Sequence, residues 1–159
     1  MAGSRLIVTM DDSAPRAMLD AVEAFVRSPP QDMLRDIGEH LLNTTRDRAK
    51  LQLTPAGIPW VDLSPRYAKH KARKRPGVPK LKFDLHMLGD QLSYQVGQNY
   101  VEVGTNAKYG ALHQFGGLPS MAAGPAAVPA RPWLGLSADD ERDLTDIVQE
   151  YLDEIVSGA

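Results

Sequence analysis

Apolar residues recur at helical spacing through the first third of the chain, and they predict two helices. Ser13 and Pro15 are typical of a helix start, as cap and first-turn residue, and a proline pair ends the first helix. The second begins near Gln31 and runs to about Leu53. The two apolar stripes are Met18, Leu19, Val22, Phe25 and Val26, then Met33, Leu34, Ile37, Leu41 and Leu42. Residues 13–53 are therefore expected to form a helical hairpin.

The spacing of apolar residues then changes and predicts a small antiparallel sheet within residues 92–115. Residues 93–96 and 100–103 are expected to pair as strands across a Gly-Gln-Asn turn. A short strand is also predicted over residues 5–9. The run Gly104-Thr105-Asn106 indicates a turn with positive φ, which glycine and asparagine tolerate. One or two helical turns before the hairpin are marked by Leu85, Leu88 and Leu92.

The clearest amphipathic pattern lies at the end of the chain and predicts a helix over residues 138–157. Ser137 and Asp140 match a capping box with aspartate in the glutamate position. Before this helix, residues 116–132 are mostly Gly, Pro, Ala and Ser, and we expect a mobile arm there. The apolar stripe of the helix is Leu144, Ile147, Val148, Tyr151, Leu152 and Ile155. Helices, then strands, then a helix packed on the sheet indicate a single α+β domain over residues 1–159.

Charge is unevenly distributed along the chain. Ser64 and Pro65 predict a third helix from Arg66 to about Arg75, followed by a loop, and this basic segment covers residues 64–82. Between Arg66 and Lys82 there are eight Lys or Arg and no acid, whereas the other residues include ten basic and twenty acidic ones. The segment is compatible with a nucleic-acid contact, with a solvated face, or with docking on an acidic protein surface such as a neighbouring subunit's last helix.

The sequence contains no pattern of residues typical of catalysis. It has no cysteine, which fits a reducing cytoplasm, and no serine-nucleophile or phosphate-binding motif. His113 is expected to be a hydrogen-bonded structural residue at the edge of the sheet, and the acid pairs Asp139-Asp140 and Asp153-Glu154 to be solvated. No stretch approaches the ~20 apolar residues of a membrane span. We therefore predict no enzymatic activity, no cofactor and no metal site.

Four ordered segments resemble the phage virion morphogenesis, or tail-completion, family of Mu-like and related tailed phages. They are residues 60–67 (WVDLSPRY), 89–92 (GDQL), 103–116 (VGTNAKYGALHQFG) and 129–137 (PARPWLGLS). Leu88 and Gly110 depart from the family pattern, where threonine and alanine are usual. The resemblance implies a structural protein at the head-proximal end of the tail or in the neck, made in the host cytoplasm and incorporated into the virion.

The resemblance also implies a ring of copies, most often hexameric, that contacts neighbouring neck and tail-tube or sheath proteins. Ordering of the arm by another subunit would suit such a ring. Arg131 and Trp133 are candidate anchors, with packing inside the chain as the alternative for Trp133. The candidate assembly residues are Tyr109, His113, Gln114, Phe115, Arg131, Trp133 and Leu134. The candidate contacts to genome DNA or an acidic partner are Lys69, Lys71, Arg73, Lys74, Arg75, Lys80 and Lys82.

Overall fold

The structure is a computed structural model that describes residues 12–82, 86–122 and 127–158. The strand predicted over residues 5–9 lies outside these ranges. The helical hairpin is confirmed as α1 (Ser13–Arg27) and α2 (Gln31–Leu51). Ser13 is the first residue of α1 and Asp12 occupies the cap position, so the prediction of Ser13 as the cap is wrong by one residue.

The second helix ends two residues earlier than predicted. Gln52 adopts the left-handed conformation with φ of 59°, and its backbone N–H bonds back to the carbonyls of the last helical turn. Leu53 then pairs with Pro59 in an isolated antiparallel bridge. The chain therefore leaves α2 through a left-handed C-cap, which is a common way to end a helix.

The middle of the chain contains α3 (Pro65–Lys74), a π-helical turn (His86–Asp90) and a β-hairpin. Ser64 caps α3, because its hydroxyl accepts a hydrogen bond from the Tyr67 backbone N–H at 3.4 Å. The strands are β1 (Leu92–Val96) and β2 (Val101–Thr105), paired antiparallel with Leu92 opposite Thr105 and Val96 opposite Val101. The predicted hairpin and the α+β class are therefore confirmed.

Two details of the predicted sheet are wrong. Gly104 lies inside β2 opposite Ser93, and neither Gly104 nor Asn106 adopts positive φ, so the run is not the expected turn. Residues 110–115 form a short helix, α4 (Gly110–Phe115), rather than part of the sheet. His113 consequently lies on a helix and not at a sheet edge.

The last helix, α5 (Ala138–Gly158), agrees with the prediction, and its capping box forms in both directions. The Ser137 hydroxyl accepts from the Asp140 backbone N–H at 3.1 Å, and the Asp140 carboxylate accepts from the Ser137 backbone N–H at 2.8 Å. This reciprocal pairing satisfies donors that the first helical turn leaves free.

Helix α2 lies at the centre of the packing. One of its faces contacts the hairpin and another contacts α5, which also packs on α1. The apolar stripe of α5 meets Phe25, Met33 and Leu34 in one cluster, together with Val96 and Val101 from the sheet. The last helix therefore packs mainly on the two N-terminal helices, not on the sheet as predicted, because α2 already covers the hairpin.

Candidate functional site

Two tryptophans hold the segment before α5 against the body of the protein. Trp60 donates its indole N–H to the carbonyl of Pro132 at 2.7 Å, and Trp133 donates to the carbonyl of Gly110 at 3.0 Å. Both rings belong to one core cluster with Met87 and Leu92. Buried indole groups need such acceptors, so the two bonds fix how this segment crosses the core.

Gln114 binds the same segment through its side-chain amide. Its oxygen accepts from the backbone N–H groups of Trp133 and Leu134, both at 3.0 Å, and its nitrogen donates to the Leu134 carbonyl at 2.9 Å. One side chain therefore satisfies three backbone groups, as a neighbouring strand would. Gln114 joins α4 to the chain that leads into α5.

Arg131 is buried within its own chain, with 3% of its surface exposed. Its guanidinium donates to the carbonyls of Val61 and Asp62, at 2.7 and 2.8 Å. Burial lowers the pKa of Arg131, while the charge of Asp62 acts in the opposite direction. Trp133 is also buried, with 4% exposed. Both side chains thus pack inside the chain, which supports the alternative given for Trp133, and a role of either residue in assembly stays a prediction.

His113 and Tyr109 face each other in an edge-to-face arrangement, with ring centroids 6.0 Å apart. Burial lowers the pKa of His113, and the charge of Arg131 lowers it further. The buried Nδ1 of His113 has no hydrogen-bond partner among the described residues, which differs from the fully bonded histidine expected from the sequence. Of the candidate assembly residues, Phe115 is the one with a widely exposed side chain, and Leu134 is half-buried.

A groove of about 550 Å³ lies beside this cluster. Its walls are mostly apolar and include Tyr67 and Tyr109, while Lys71, His113 and Arg131 supply polar groups. No set of three or more His, Asp or Glu side chains that could hold a metal ion occurs within residues 12–82, 86–122 and 127–158. The groove is therefore a mostly apolar depression with the cationic side chains of Lys71 and Arg131 in its lining. It brings together residues from α3, α4 and the segment before α5.

The arm predicted over residues 116–132 is attached to the body near both ends. The Gly117 N–H donates to the Val128 carbonyl at 2.8 Å, and the Arg131 N–H donates to the His113 carbonyl at 2.7 Å. Gly116 begins the arm with φ of 80°, and a Cβ there would lie 2.9 Å from the backbone nitrogen of Ala130. Residues 123–126 of the arm lie outside the described ranges, and its mobility stays a prediction.

The basic segment divides into exposed and internal cations. Lys69, Arg73, Lys74 and Arg75 are exposed, as is Arg66 at the start of α3. Of the other candidate cations, Lys71 is buried, and Lys80 and Lys82 are half-buried.

Lys71 and Lys80 hold the loop after α3. Lys71 is buried and donates to the Pro79 carbonyl, and burial lowers its pKa. Lys80 donates to the Trp60 carbonyl at 2.8 Å and pairs with Asp62 at 2.7 Å. Both ammonium groups are therefore used within the chain, and the prediction that they contact DNA or an acidic partner is not supported by their surroundings.

Asp140 is a structural residue that the sequence interpretation missed. It is 1% exposed, not solvated as expected, and it pairs with Arg48 of α2. Arg48 also donates to the Gly135 carbonyl at 2.8 Å. The capping box was the available signal, since an aspartate that caps its own helix must turn towards the preceding chain.

None of the helices in the described ranges is both long and apolar enough to cross a membrane.

A family model described as the phage virion morphogenesis family matches residues 10–153. The chain is 32% identical over 124 residues to Mu-like prophage FluMu G protein 2 of Haemophilus influenzae, covering 74% of this chain and 88% of that protein.

FluMu G protein 1 of the same organism is 29% identical over 127 residues, covering 76% of this chain and 81% of that protein. A candidate capsid assembly protein G of Escherichia phage Mu is 40% identical over 63 residues, or 40% of each chain. No solved structure matches the chain closely enough to establish a relationship. The family match covers most of the chain and includes all four segments singled out from the sequence, and on this basis the protein belongs to the phage virion morphogenesis family.

Proposed function

We propose that this protein is a non-enzymatic structural component at the head-proximal end of the phage tail or in the neck. In this proposal a closed ring of copies, six in number, completes the tail and joins it to the head. Family membership supports a role in virion assembly. The location in the tail or neck and the ring go beyond family membership. We infer them from the resemblance of the four sequence segments.

The observation that carries the proposal is an exposed apolar patch on an anchored segment. Phe115, Leu118 and Met121 are 79%, 60% and 41% exposed, and all three fall within seven consecutive residues. Gln114 and Arg131 join the two ends of this segment to the core. Several exposed apolar side chains close together in the chain are typical of a surface that another protein covers. We infer that a neighbouring subunit or neck protein covers this patch.

Electron microscopy of lysates from a phage that lacks this gene tests the proposal. We expect DNA-filled heads beside unjoined tails, because the joining ring is missing. Tails of normal length would indicate a joining role, and overlong tails would indicate that the ring also terminates the tail. The name of the phage Mu relative suggests a contrasting result. Lysates without closed heads but with normal tails would contradict our proposal and indicate capsid assembly.

A DNA-contacting neck module is a second candidate, because the exposed cations of α3 could neutralise phosphates of the genome in the channel. It predicts DNA retention that weakens with added salt and disappears when the cations are neutralised.

A further inference from the structure

We propose that the exposed basic face of α3 in one subunit docks on the acidic face of α5 in the next subunit of the ring. This inference rests on the proposed function, since it requires several copies in contact. We call Arg66, Lys69 and Arg73 the basic stripe. The acidic stripe consists of Asp139, Asp143, Asp146, Glu150 and Asp153.

The basic stripe lies on one side of α3 and is not used within the chain. Its members are separated by three and then four residues, which places them on one helical face. The opposite face carries Lys71, which is buried. All three side chains belong to exposed residues, and none forms an ion pair or hydrogen bond with any part of the chain that the structure describes. The stripe is thus free to contact another molecule.

The acidic stripe follows the outer side of α5. Its members are separated alternately by four and three residues, and all are exposed. The apolar side of the same helix is turned to α1 and α2. Asp146 and Glu150 have no ion-pair or hydrogen-bond partner within the described ranges. The other members have partners in the chain: Asp139 pairs with Arg142, Asp143 lies 3.5 Å from the His40 imidazole of α2, and Asp153 accepts from Gln149 at 2.6 Å. The centre of the row, Asp146 and Glu150, therefore faces outward without a compensating cation.

The two stripes match in length and spacing. Arg66 and Arg73, with Lys69 between them, are seven residue steps apart, or about 10.5 Å along the helix. Asp153, Glu150 and Asp146 span the same distance, and reading along α5 in reverse gives the same three-then-four separation. Two antiparallel helices could thus oppose three cations and three carboxylates in register.

A second copy of this chain explains both surfaces at once. DNA would use the basic stripe alone and would be repelled by the acidic stripe. No ion pair between described residues joins α3 to α5 within one chain, so both stripes remain available to a second copy. A contact between two different surfaces is heterologous, and repeating it generates a ring when the rotation closes. Exposed ion pairs add little affinity, so this contact mainly sets the orientation of subunits, while apolar patches supply contact area.

Charge reversal tests the proposal, with infectious-particle yield measured by complementation of a phage that lacks the gene. One variant carries Lys69→Glu and Arg73→Glu, another carries Asp146→Lys and Glu150→Lys, and a third carries all four changes. We expect each double variant to lower the yield at least about tenfold, because like charges then face each other. The fourfold variant should regain most of the yield, since it restores opposite charges with their positions exchanged.

Co-expression of the two double variants should also restore particles, because alternating subunits then meet with opposite charges at every contact. The matched control is Arg27→Glu with Lys108→Glu, which reverses two exposed cations outside both stripes and should leave the yield unchanged; the exposed pair of Arg27 with Glu23 is lost, but such pairs contribute little to stability. Thermal unfolding of each purified variant checks that the fold is retained.

A fourfold variant as defective as the double variants would overturn the inference. A defect confined to the basic-stripe variant would overturn it as well, and would indicate DNA or another acidic partner. These outcomes differ from failure of the proposed function, which is read by electron microscopy of the phage lacking the gene before any variant is introduced: that phage then makes normal joined particles, or lacks closed heads.

Discussion

Replacement of Asp140 with alanine is expected to lower the free energy of unfolding by about 3–5 kcal/mol, as breaking a buried ion pair typically does. Asp140 is buried against Arg48 and accepts hydrogen bonds from both the backbone N–H and the hydroxyl of Ser137, each at 2.8 Å. The alanine would leave the guanidinium, itself only 13% exposed, without its carboxylate. It would also remove one half of the capping box, the bond from the Ser137 backbone N–H to the carboxylate, while the Ser137 hydroxyl still accepts from the backbone N–H of residue 140. Urea denaturation at pH 7 measures the loss.

The effect of this substitution should depend on pH. Burial by itself raises the pKa of Asp140, but hydrogen bonds from Ser137 and Thr44 and the charge of Arg48 outweigh it, and the pKa lies below its usual value of 3.8. Because its pKa is lowered in the folded state, the Asp140 carboxylate stabilises the protein fully above its usual pKa of 3.8. This stabilisation is lost as the pH falls through the folded-state pKa. The difference between wild type and Asp140→Ala should therefore shrink below about pH 4.

Asp139 provides the matched control, because it is the preceding residue of the same helix turn and its side chain is 78% exposed. Asp139→Ala should change stability little at any pH. A similar loss in both variants would show that helix charge, and not the buried ion pair, is responsible. A difference for Asp140→Ala that grows on acidification would contradict the account of its pKa.

Replacement of Trp133 with alanine is expected to cost about 3–5 kcal/mol, which is the usual range for removing a large buried aromatic residue. The ring packs with Trp60 and Leu42 in the main core cluster and bonds to the Gly110 carbonyl. Trp133→Phe keeps one aromatic ring but removes the five-membered ring with its N–H, and it should lose about 1–3 kcal/mol, partly from the lost bond to the Gly110 carbonyl and partly from the smaller volume. Chemical denaturation of the two variants separates the packing from the hydrogen bond.

The same variants decide between the two interpretations of Trp133. Because the side chain is buried in its own subunit, stability and particle assembly should fall together, with Trp133→Phe intermediate in both. A Trp133→Ala protein that unfolds like the wild type but no longer supports assembly would instead place this residue at an interface.

The features that sequence predicted well depend on neighbouring residues. Ser64 and Ser137 cap α3 and α5 as expected, since a cap requires only the residues of the next helical turn. The hairpin over β1 and β2 was predicted from alternation and a turn, which are also local signals.

The features that sequence reasoning missed depend on distant partners. Arg131 is buried because it reaches the carbonyls of Val61 and Asp62, about seventy residues earlier in the chain, and no local pattern indicates those acceptors. Lys71 likewise donates to the Pro79 carbonyl and is buried, so it is not part of the exposed basic face of α3. The position of Asp140 in an acidic helix suggested that its side chain is solvated. Its partner, Arg48, lies on another helix, and no local pattern indicates that pairing.

Cryo-electron microscopy of purified virions, together with mass spectrometry of their proteins, tests the central claim most directly. We predict that this chain is present in mature particles as a closed ring of identical copies at the junction of head and tail. A chain that is absent from mature virions, although their formation requires it, would contradict the claim and show that the protein acts only transiently during assembly.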